Sequence, residues 1–168
     1  MSEPIIDPTV PPGLAVALYK GTRPGFAGLY NRLGRYLDGG PYSHCELIFT
    51  DRMSASASFL DHGVRFKPIG YSSVGNWDFL PVPDADGSAE RFARSWFEFH
   101  DGMPYDVAGN IRFGIGFARE SSRAWFCSEA VMSALGYRET WRYGPSGAAT
   151  ALLHDFKTKM IEVPPNGN

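Results

Sequence analysis

YSHCELIFT, residues 42–50, is the strongest strand pattern in the chain, and the rest of the fold can be worked out from it. Side chains along a strand alternate between two faces. One face takes His44, Glu46 and Ile48, and the other takes Cys45, Leu47 and Phe49. The apolar second face predicts a strand with that side in the core. It also places a histidine at the start of the strand, directly after a GGPYS turn.

Upstream of this strand, the sequence predicts a helix, another strand and an arm. Residues 24–40 carry apolar side chains at helical spacing, Pro24 can occupy the first turn, and a glycine pair ends the run. The apolar run at residues 14–21, LAVALYKG, predicts a strand. Residues 1–12 are rich in proline, and we expect an extended N-terminal arm there.

Downstream, further strands precede a set of helices. The strands are predicted at residues 53–59, 63–69 and 77–82. A helix with Ser88 as its N-cap follows and continues to about His100. Its apolar positions are Phe92, Trp96 and Phe99.

Two more helices and a closing strand complete the predicted order. One helix covers residues 127–135 with Gly136 as its stop signal, and another follows Ser146 as a cap. Residues 159–163 are expected to close the sheet. Residues 107–118 fit either a glycine-rich helix or a loop, and the pattern leaves both open.

This order of strands first and helices later, with hairpin-length connections, predicts an α+β fold with a mainly antiparallel sheet. We expect one domain over residues 13–163, preceded by the arm and followed by a flexible tail at residues 164–168. The glycine-containing segments do not follow a strand as a phosphate-binding loop requires, so no nucleotide site is predicted.

The composition is that of an ordinary soluble globular protein, with 43% apolar and 20% charged residues. A net charge of −2 with scattered basic residues argues against nucleic acid as a partner. No apolar run approaches the ~20 residues of a membrane span, and the N-terminus lacks the pattern of a signal peptide. We therefore expect a cytoplasmic protein with two reduced cysteines.

Cys127 lies where the segment AWFCSEAVMSALG, residues 124–136, begins its predicted helix. The unpaired N–H groups and the dipole of a helix N-terminus favour negative charge, so a thiol there has a lowered pKa. The same N–H groups can hold an oxyanion. A buried core cysteine is the alternative, and Cys127 by itself leaves both interpretations open.

Of four histidines, His44 is the candidate general base. His62 fits a turn, while His100 and His154 fit the ends of helices, where a cation is favoured. Glu46 shares a strand face with His44 and could hold its imidazole in one tautomer. A polar residue on a solvated strand face is the alternative for Glu46.

Cys45 points to the opposite strand face, which predicts a core residue. A zinc site built from His44, Cys45, Cys127 and another histidine is disfavoured because no paired C-x-x-C spacing is present and adjacent strand residues diverge. We expect neither a metal nor an organic cofactor.

Four segments in this order resemble the permuted papain-like hydrolases: GPYSHCELIF, GVRFKPI, GMPYD and WFCSEAV. These hydrolases are the circularly permuted branch of the NlpC-type cell-wall amidase superfamily, including YiiX-like proteins and, more distantly, lecithin:retinol acyltransferase. The resemblance spans roughly residues 14–140, and His44 precedes Cys127 as the permuted order requires. It implies a papain-like antiparallel sheet packed against helices, with the cysteine at a helix N-terminus.

The resemblance also implies roles for individual residues. Cys127 corresponds to the nucleophile and His44 to the general base. The family often has a polar residue, frequently glutamate, on the next strand, but here that strand offers only serines, of which Ser56 is the nearest match. Either Ser56 orients His44, or Glu46 does so from the histidine's own strand.

Three further residues are assigned to the substrate cleft or to support of the cysteine helix: Tyr42, Tyr105 and Asp106. For the last two, an ordinary turn is the alternative. The expected activity is a cysteine hydrolase acting on an amide or ester bond of a cell-wall peptide, a protein isopeptide or a lipid acyl group. Acyl transfer or thioesterase activity on lipids, and a non-catalytic binding or assembly module of a phage particle, are the alternatives. The oligomeric state is left open.

Overall fold

One antiparallel sheet forms the centre of the fold. The computed structural model describes residues 9–71, 73–106 and 124–164. The strands within these ranges are β1 (Ala15–Tyr19), β2 (His44–Ile48), β3 (Met53–Ser58), β4 (Gly63–Pro68), β5 (Trp77–Pro81) and β6 (Ile161–Glu162). They are ordered β4-β3-β2-β1-β5-β6, and every neighbouring pair is antiparallel. The predicted α+β class with a mainly antiparallel sheet is confirmed.

The described ranges contain four helices. They are α1 (Gly25–Asp38), α2 (Ser88–His100), α3 (Cys127–Ala134) and α4 (Pro145–Phe156). Short 3-10 turns occur at Val74–Asn76 and Thr140–Arg142. Among these described helices, none combines the length and the apolar character that a membrane crossing requires.

The two faces of the sheet contribute to two separate clusters of buried side chains. On the helix-covered face, Leu18, Cys45 and Leu47 pack with side chains of α2, α3 and α4. On the opposite face, Ala17 and Phe79 belong to a second cluster. Because β1 is covered on both sides, its sequence is a continuous apolar run rather than an alternating one.

Of the three apolar positions that the sequence singled out in α2, only Trp96 packs against the core. Phe92 and Phe99 are 56% and 79% exposed, while Ala93 and Phe97 are fully buried. Both sets satisfy a helical period, so the period alone does not select between them. Ala93 and Phe97 form the buried side of α2, while Phe92 and Phe99 point outward.

The start of α2 also differs in detail. Ser88 is the first helical residue rather than the cap. The carboxylate of Asp84 accepts the backbone N–H groups of Ala89 and Glu90, at 2.9 Å and 3.0 Å. A side chain four residues before the helix therefore satisfies the donors that a residue at the N-cap position usually serves.

The predicted arm contacts the sheet at its described end. Val10 is buried in the second cluster, and the Arg52 guanidinium donates hydrogen bonds to the carbonyl oxygens of Val10 and Pro11. Residues 9–12 are thus part of the packed body rather than a separate arm. Three predictions fall wholly or partly outside the described residues: the arm over 1–8, the ambiguous segment 107–118 and the tail over 165–168.

Candidate active site

A short backbone pairing fixes the chain that leads into the cysteine helix. The Trp125 N–H donates to the Pro104 carbonyl at 3.1 Å, and the Asp106 N–H donates to the Trp125 carbonyl at 3.0 Å. Tyr105 and Trp125 form a parallel bridge. The segment that contains Tyr105 and Asp106 therefore supports the approach to Cys127, which is one of the roles the sequence suggested for it.

Helix α3 begins at Cys127 and packs closely against the sheet. It lies over β2 and β3, and its Ala130 and Ala134 side chains are fully buried. The hydroxyl of Ser128 donates to the Tyr143 carbonyl at 2.7 Å and anchors the first turn. The small alanine side chains permit a close approach, and the first residue of α3 thereby meets the first residues of β2.

The thiol of Cys127 is buried and contacts two groups of β2. It is 3% exposed. A hydrogen bond from the Cys45 thiol lowers the pKa of Cys127 well below the usual range, against the effect of burial, and the charge and hydrogen bond of His44 lower it further. Burial raises the pKa of Cys45, which therefore stays protonated and donates to Cys127. The surroundings of Cys127 favour a thiolate.

His44 joins this thiol to a carboxylate. Its Nε2 lies 3.3 Å from Oε1 of Glu46. With the Nε2 proton shared with that carboxylate, Nδ1 is the nitrogen left to accept the thiol proton. Burial opposes a charged ring, but the charge and hydrogen bond of Cys127 and the contact with Glu46 raise the pKa of His44 above its ordinary value. An imidazolium beside a thiolate is the form that these contacts stabilise.

Glu46 is a buried and fully paired carboxylate. It is 3% exposed, so the solvated-face alternative for this residue is wrong. Arg65 Nη2 donates to Oε1 at 2.6 Å, and the Tyr71 hydroxyl donates to Oε2 at 3.2 Å. Burial opposes ionisation, yet the hydrogen bond from His44 and the charge of Arg65 hold the pKa of Glu46 far below its usual range.

Ser56 lies on the same face of the sheet as Glu46, but its hydroxyl binds backbone carbonyl groups. It donates to the Cys45 carbonyl at 2.7 Å and contacts the Ala57 carbonyl at 3.2 Å. Of the two candidates for orienting His44, Glu46 is the one that the structure brings into contact with the ring. Ser56 instead ties β3 to the strand segment that carries Cys45.

Tyr42 turns toward the other edge of the sheet. Its hydroxyl donates to Asp78 at 2.9 Å, and the same carboxylate binds Lys20 at 2.6 Å and the Val163 N–H at 3.0 Å. This cluster fastens the segment after β6 to β5. The hydroxyl of Tyr42 therefore contributes to the fold, and its ring belongs to the same buried cluster as Cys45 and Cys127.

The other described histidines make contacts of their own. The ring of His100 contacts the Trp96 carbonyl at 2.7 Å and stacks on the Trp96 ring. His154 is exposed beside Asp155. His62 occupies a turn with a positive φ of 64°. These positions agree with the structural roles that the sequence suggested for them.

A cleft of about 560 Å³ opens on the sheet face where Glu46 lies. Its lining includes Arg23, Glu46, Lys67, Tyr71 and Trp77.

Within residues 9–71, 73–106 and 124–164, no three His, Cys, Asp or Glu side chains are grouped as a metal site would need.

Sequence reasoning missed two residues that bind Glu46, namely Arg65 and Tyr71. The alternation within GVRFKPI carried part of the signal, since Arg65 falls on the opposite face from Val64 and Phe66. In the register of β3 and β4, Arg65 pairs with Ser56. Tyr71 lies beyond the strand, and no periodic pattern marked it.

The chain matches no protein-family model, and no curated protein shows significant similarity to it. The fold and the site therefore identify only the general class of protein. It is an α+β protein in which a helix-start thiol, an imidazole and a buried carboxylate lie in one chain of contacts.

Proposed function

We propose that this protein is a cysteine hydrolase that cleaves an amide or ester bond through an acyl-enzyme on Cys127. The observation that carries the proposal is the position of His44, which contacts the Cys127 thiol on one side and Glu46 on the other. A nucleophile, a base and a group that orients the base are the elements that covalent acyl transfer requires.

The reaction begins from the ion pair, in which the proton of Cys127 already lies on His44. The thiolate attacks the substrate carbonyl carbon and forms a C–S bond, while the carbonyl oxygen takes the negative charge. The backbone N–H of Cys127, at the start of α3, is the donor we assign to that oxyanion. Collapse expels the amine or alcohol, which takes the proton from His44. Water then gives a proton to His44, attacks the thioester and releases the acid.

Rate enhancements measured in other enzymes indicate how much each of these groups should contribute to the rate. General-base assistance accounts for about 10²–10⁴-fold in rate, and one oxyanion donor for about 10²–10³-fold. In this proposal Glu46 rather than Ser56 is the third member, because a carboxylate stabilises the imidazolium by charge as well as by a hydrogen bond.

The proposed fold family is the permuted papain-like one. The order of elements supports it, since the strand that begins at His44 precedes the helix that begins at Cys127. The substrate class in this proposal remains a peptide amide, an isopeptide or an acyl ester, in a bacterial or phage setting. An amine or lipid alcohol that replaces water in the second half-reaction would make the same site an acyltransferase.

The test is acylation by an activated ester, p-nitrophenyl acetate, followed by intact-mass spectrometry and peptide mapping. We expect an acetyl group on Cys127 in the parent chain and none there in Cys127→Ala. His44→Gln should slow acylation by about 10²–10⁴-fold. His154→Gln is the matched control, because this histidine is exposed and pairs with Asp155.

Three outcomes separate the possible functions. Equal acylation in the parent and His44→Gln, or an acetyl group on another residue, would contradict the hydrolase proposal. An acyl-enzyme that is released only when an amine or alcohol is added would favour acyl transfer. Absence of acylation in the folded parent chain would favour the binding or assembly module.

A further inference from the structure

Arg65 is a buried cation placed two strands away from the proposed base. It lies on β4, whereas His44 lies on β2. Its Nη2 donates to Glu46 Oε1 at 2.6 Å, and its Nε donates to Asp61 Oδ2 at 2.8 Å. Nη1 lies 3.4 Å from the hydroxyl of Ser54. The guanidinium is therefore held at both ends, and its planar fork joins two carboxylates.

The contact between Arg65 and Glu46 restricts the carboxylate that His44 uses. Oε1 of Glu46 is shared between Arg65 at 2.6 Å and His44 at 3.3 Å, while Oε2 accepts the Tyr71 hydroxyl. Rotation of the carboxylate would break these bonds together. A buried carboxylate without a cation would take up a proton, because burial disfavours the charged form.

The charges alternate along this side of the sheet. Lys67 Nζ lies 3.1 Å from Asp61, and the pairs continue through Arg65 and Glu46 to His44. The titratable and charged groups around Glu46 and His44 are Cys45 on β2, Arg65 and Lys67 on β4, Tyr71 after β4, and Cys127 on α3. Of the two basic residues on β4, Arg65 is the one in direct contact with Glu46.

We propose that Arg65 is a positioning residue of the site: it holds Glu46 ionised and directed at His44, and Asp61 in turn holds Arg65. This inference rests on the proposed function, because it assigns Arg65 a role in preparing the Cys127–His44 pair. Arg65 does not touch the thiol. Its contribution to raising the pKa of His44 passes through Glu46.

The experiment compares Arg65→Met with Glu46→Gln and with the double variant. Two readouts are used: the pKa of His44 from NMR titration of its ring, and the rate of Cys127 alkylation by iodoacetamide against pH. Arg142→Met is the matched control, because Arg142 forms an exposed pair with Glu139. Circular dichroism and thermal unfolding check that each variant folds.

We expect Arg65→Met to lower the pKa of His44 by about one unit, which corresponds to about a tenfold change in the ratio of imidazolium to imidazole. The Cys127 alkylation midpoint should move upward, because the imidazolium loses its ionised partner. In the Glu46→Gln background the same substitution should no longer lower the pKa of His44, because loss of a neighbouring cation does not by itself disfavour the imidazolium. Arg142→Met should leave both unchanged.

Two results would overturn the inference. The first is a folded Arg65→Met chain whose His44 titrates as in the parent, and the second is an effect of equal size in the Glu46→Gln background. If Arg65→Met does not fold, Arg65→Gln carries the same test, because glutamine keeps hydrogen-bond donors near Glu46 but has no charge. A parent-like titration of His44 in a folded Arg65→Gln chain would then overturn the inference.

The His44 titration does not depend on turnover. Absence of an acyl-enzyme together with a shifted His44 pKa would therefore contradict the hydrolase proposal and leave the positioning role standing. An acyl-enzyme together with an unshifted His44 pKa would contradict the positioning role alone.

Discussion

Replacing Cys45 with alanine removes the thiol that donates to Cys127, and we expect the pKa of Cys127 to rise. The hydrogen bond from Cys45 is the largest influence that lowers this pKa. A hydrogen bond to a charged group contributes about 1.5–3 kcal/mol. Since one pKa unit corresponds to about 1.4 kcal/mol, the expected rise is about one to two units.

The assay is the rate of Cys127 alkylation by iodoacetamide as a function of pH, with the modified residue identified by mass spectrometry. In the parent chain, Cys127 should be labelled and Cys45 should not, because Cys45 is fully buried with a raised pKa. In Cys45→Ala the midpoint for Cys127 should move upward, toward the ~8.5 of a free thiol.

Cys45→Ser is the matched control. Its hydroxyl keeps a donor at this position while its volume is close to that of alanine, so most of the shift should be recovered. An alanine variant that folds and shows the parent profile would refute the hydrogen-bond argument. Equal shifts in the alanine and serine variants would assign the effect to packing instead of donation.

Three further predictions concern the histidine and its carboxylate. Glu46→Gln should slow Cys127 alkylation at neutral pH more than Ser56→Ala, because only Glu46 contacts the ring; the reverse order would contradict this. His44→Ala should raise the alkylation midpoint by removing the cation, whereas superimposable profiles of two folded chains would show that His44 and Cys127 are uncoupled. In acid, the parent should lose stability as the pH falls below the ordinary carboxylate range. Glu46, with a strongly lowered pKa, and Asp61, whose pKa is lowered to about 2, favour folding above their unfolded pKa values, and this contribution disappears as the pH falls through the folded ones. Urea midpoints between about pH 5 and 2 measure it, and an unchanged slope in Glu46→Gln would contradict the role of that residue.

The strands and helices could be predicted because their patterns are local. The alternation in residues 42–50 predicted β2, and the structure begins that strand at His44. The helix that starts at Cys127 was equally visible, since a stop signal follows its apolar residues. What local patterns left open was the buried face of α2, where the choice between Phe92 and Phe97 depends on which neighbours the helix meets.

The burial of Glu46 could not be derived from its own strand. Period-two alternation separates two faces, but it does not tell whether the polar face is covered. In the structure that face is covered by aromatic side chains from elsewhere in the chain. Tyr71 packs against Trp77, and Tyr19 packs against Trp77 from β1. These contacts depend on the strand order, and a glutamate two residues after a histidine carries no information about it.

The same reasoning explains why the network around Glu46 depends on register more than on residue type. Arg65 and Glu46 are 19 positions apart and meet across the intervening strand β3. A one-residue slip between β3 and β4 would turn Arg65 to the helix-covered face, where an unpaired cation would be strongly unfavourable. The ion pairs therefore help to select the register of β4, and the register in turn places the cation beside Glu46. If the proposed function holds, the ion pairs that fix the register of β4 also hold Glu46 against His44, the proposed base for Cys127.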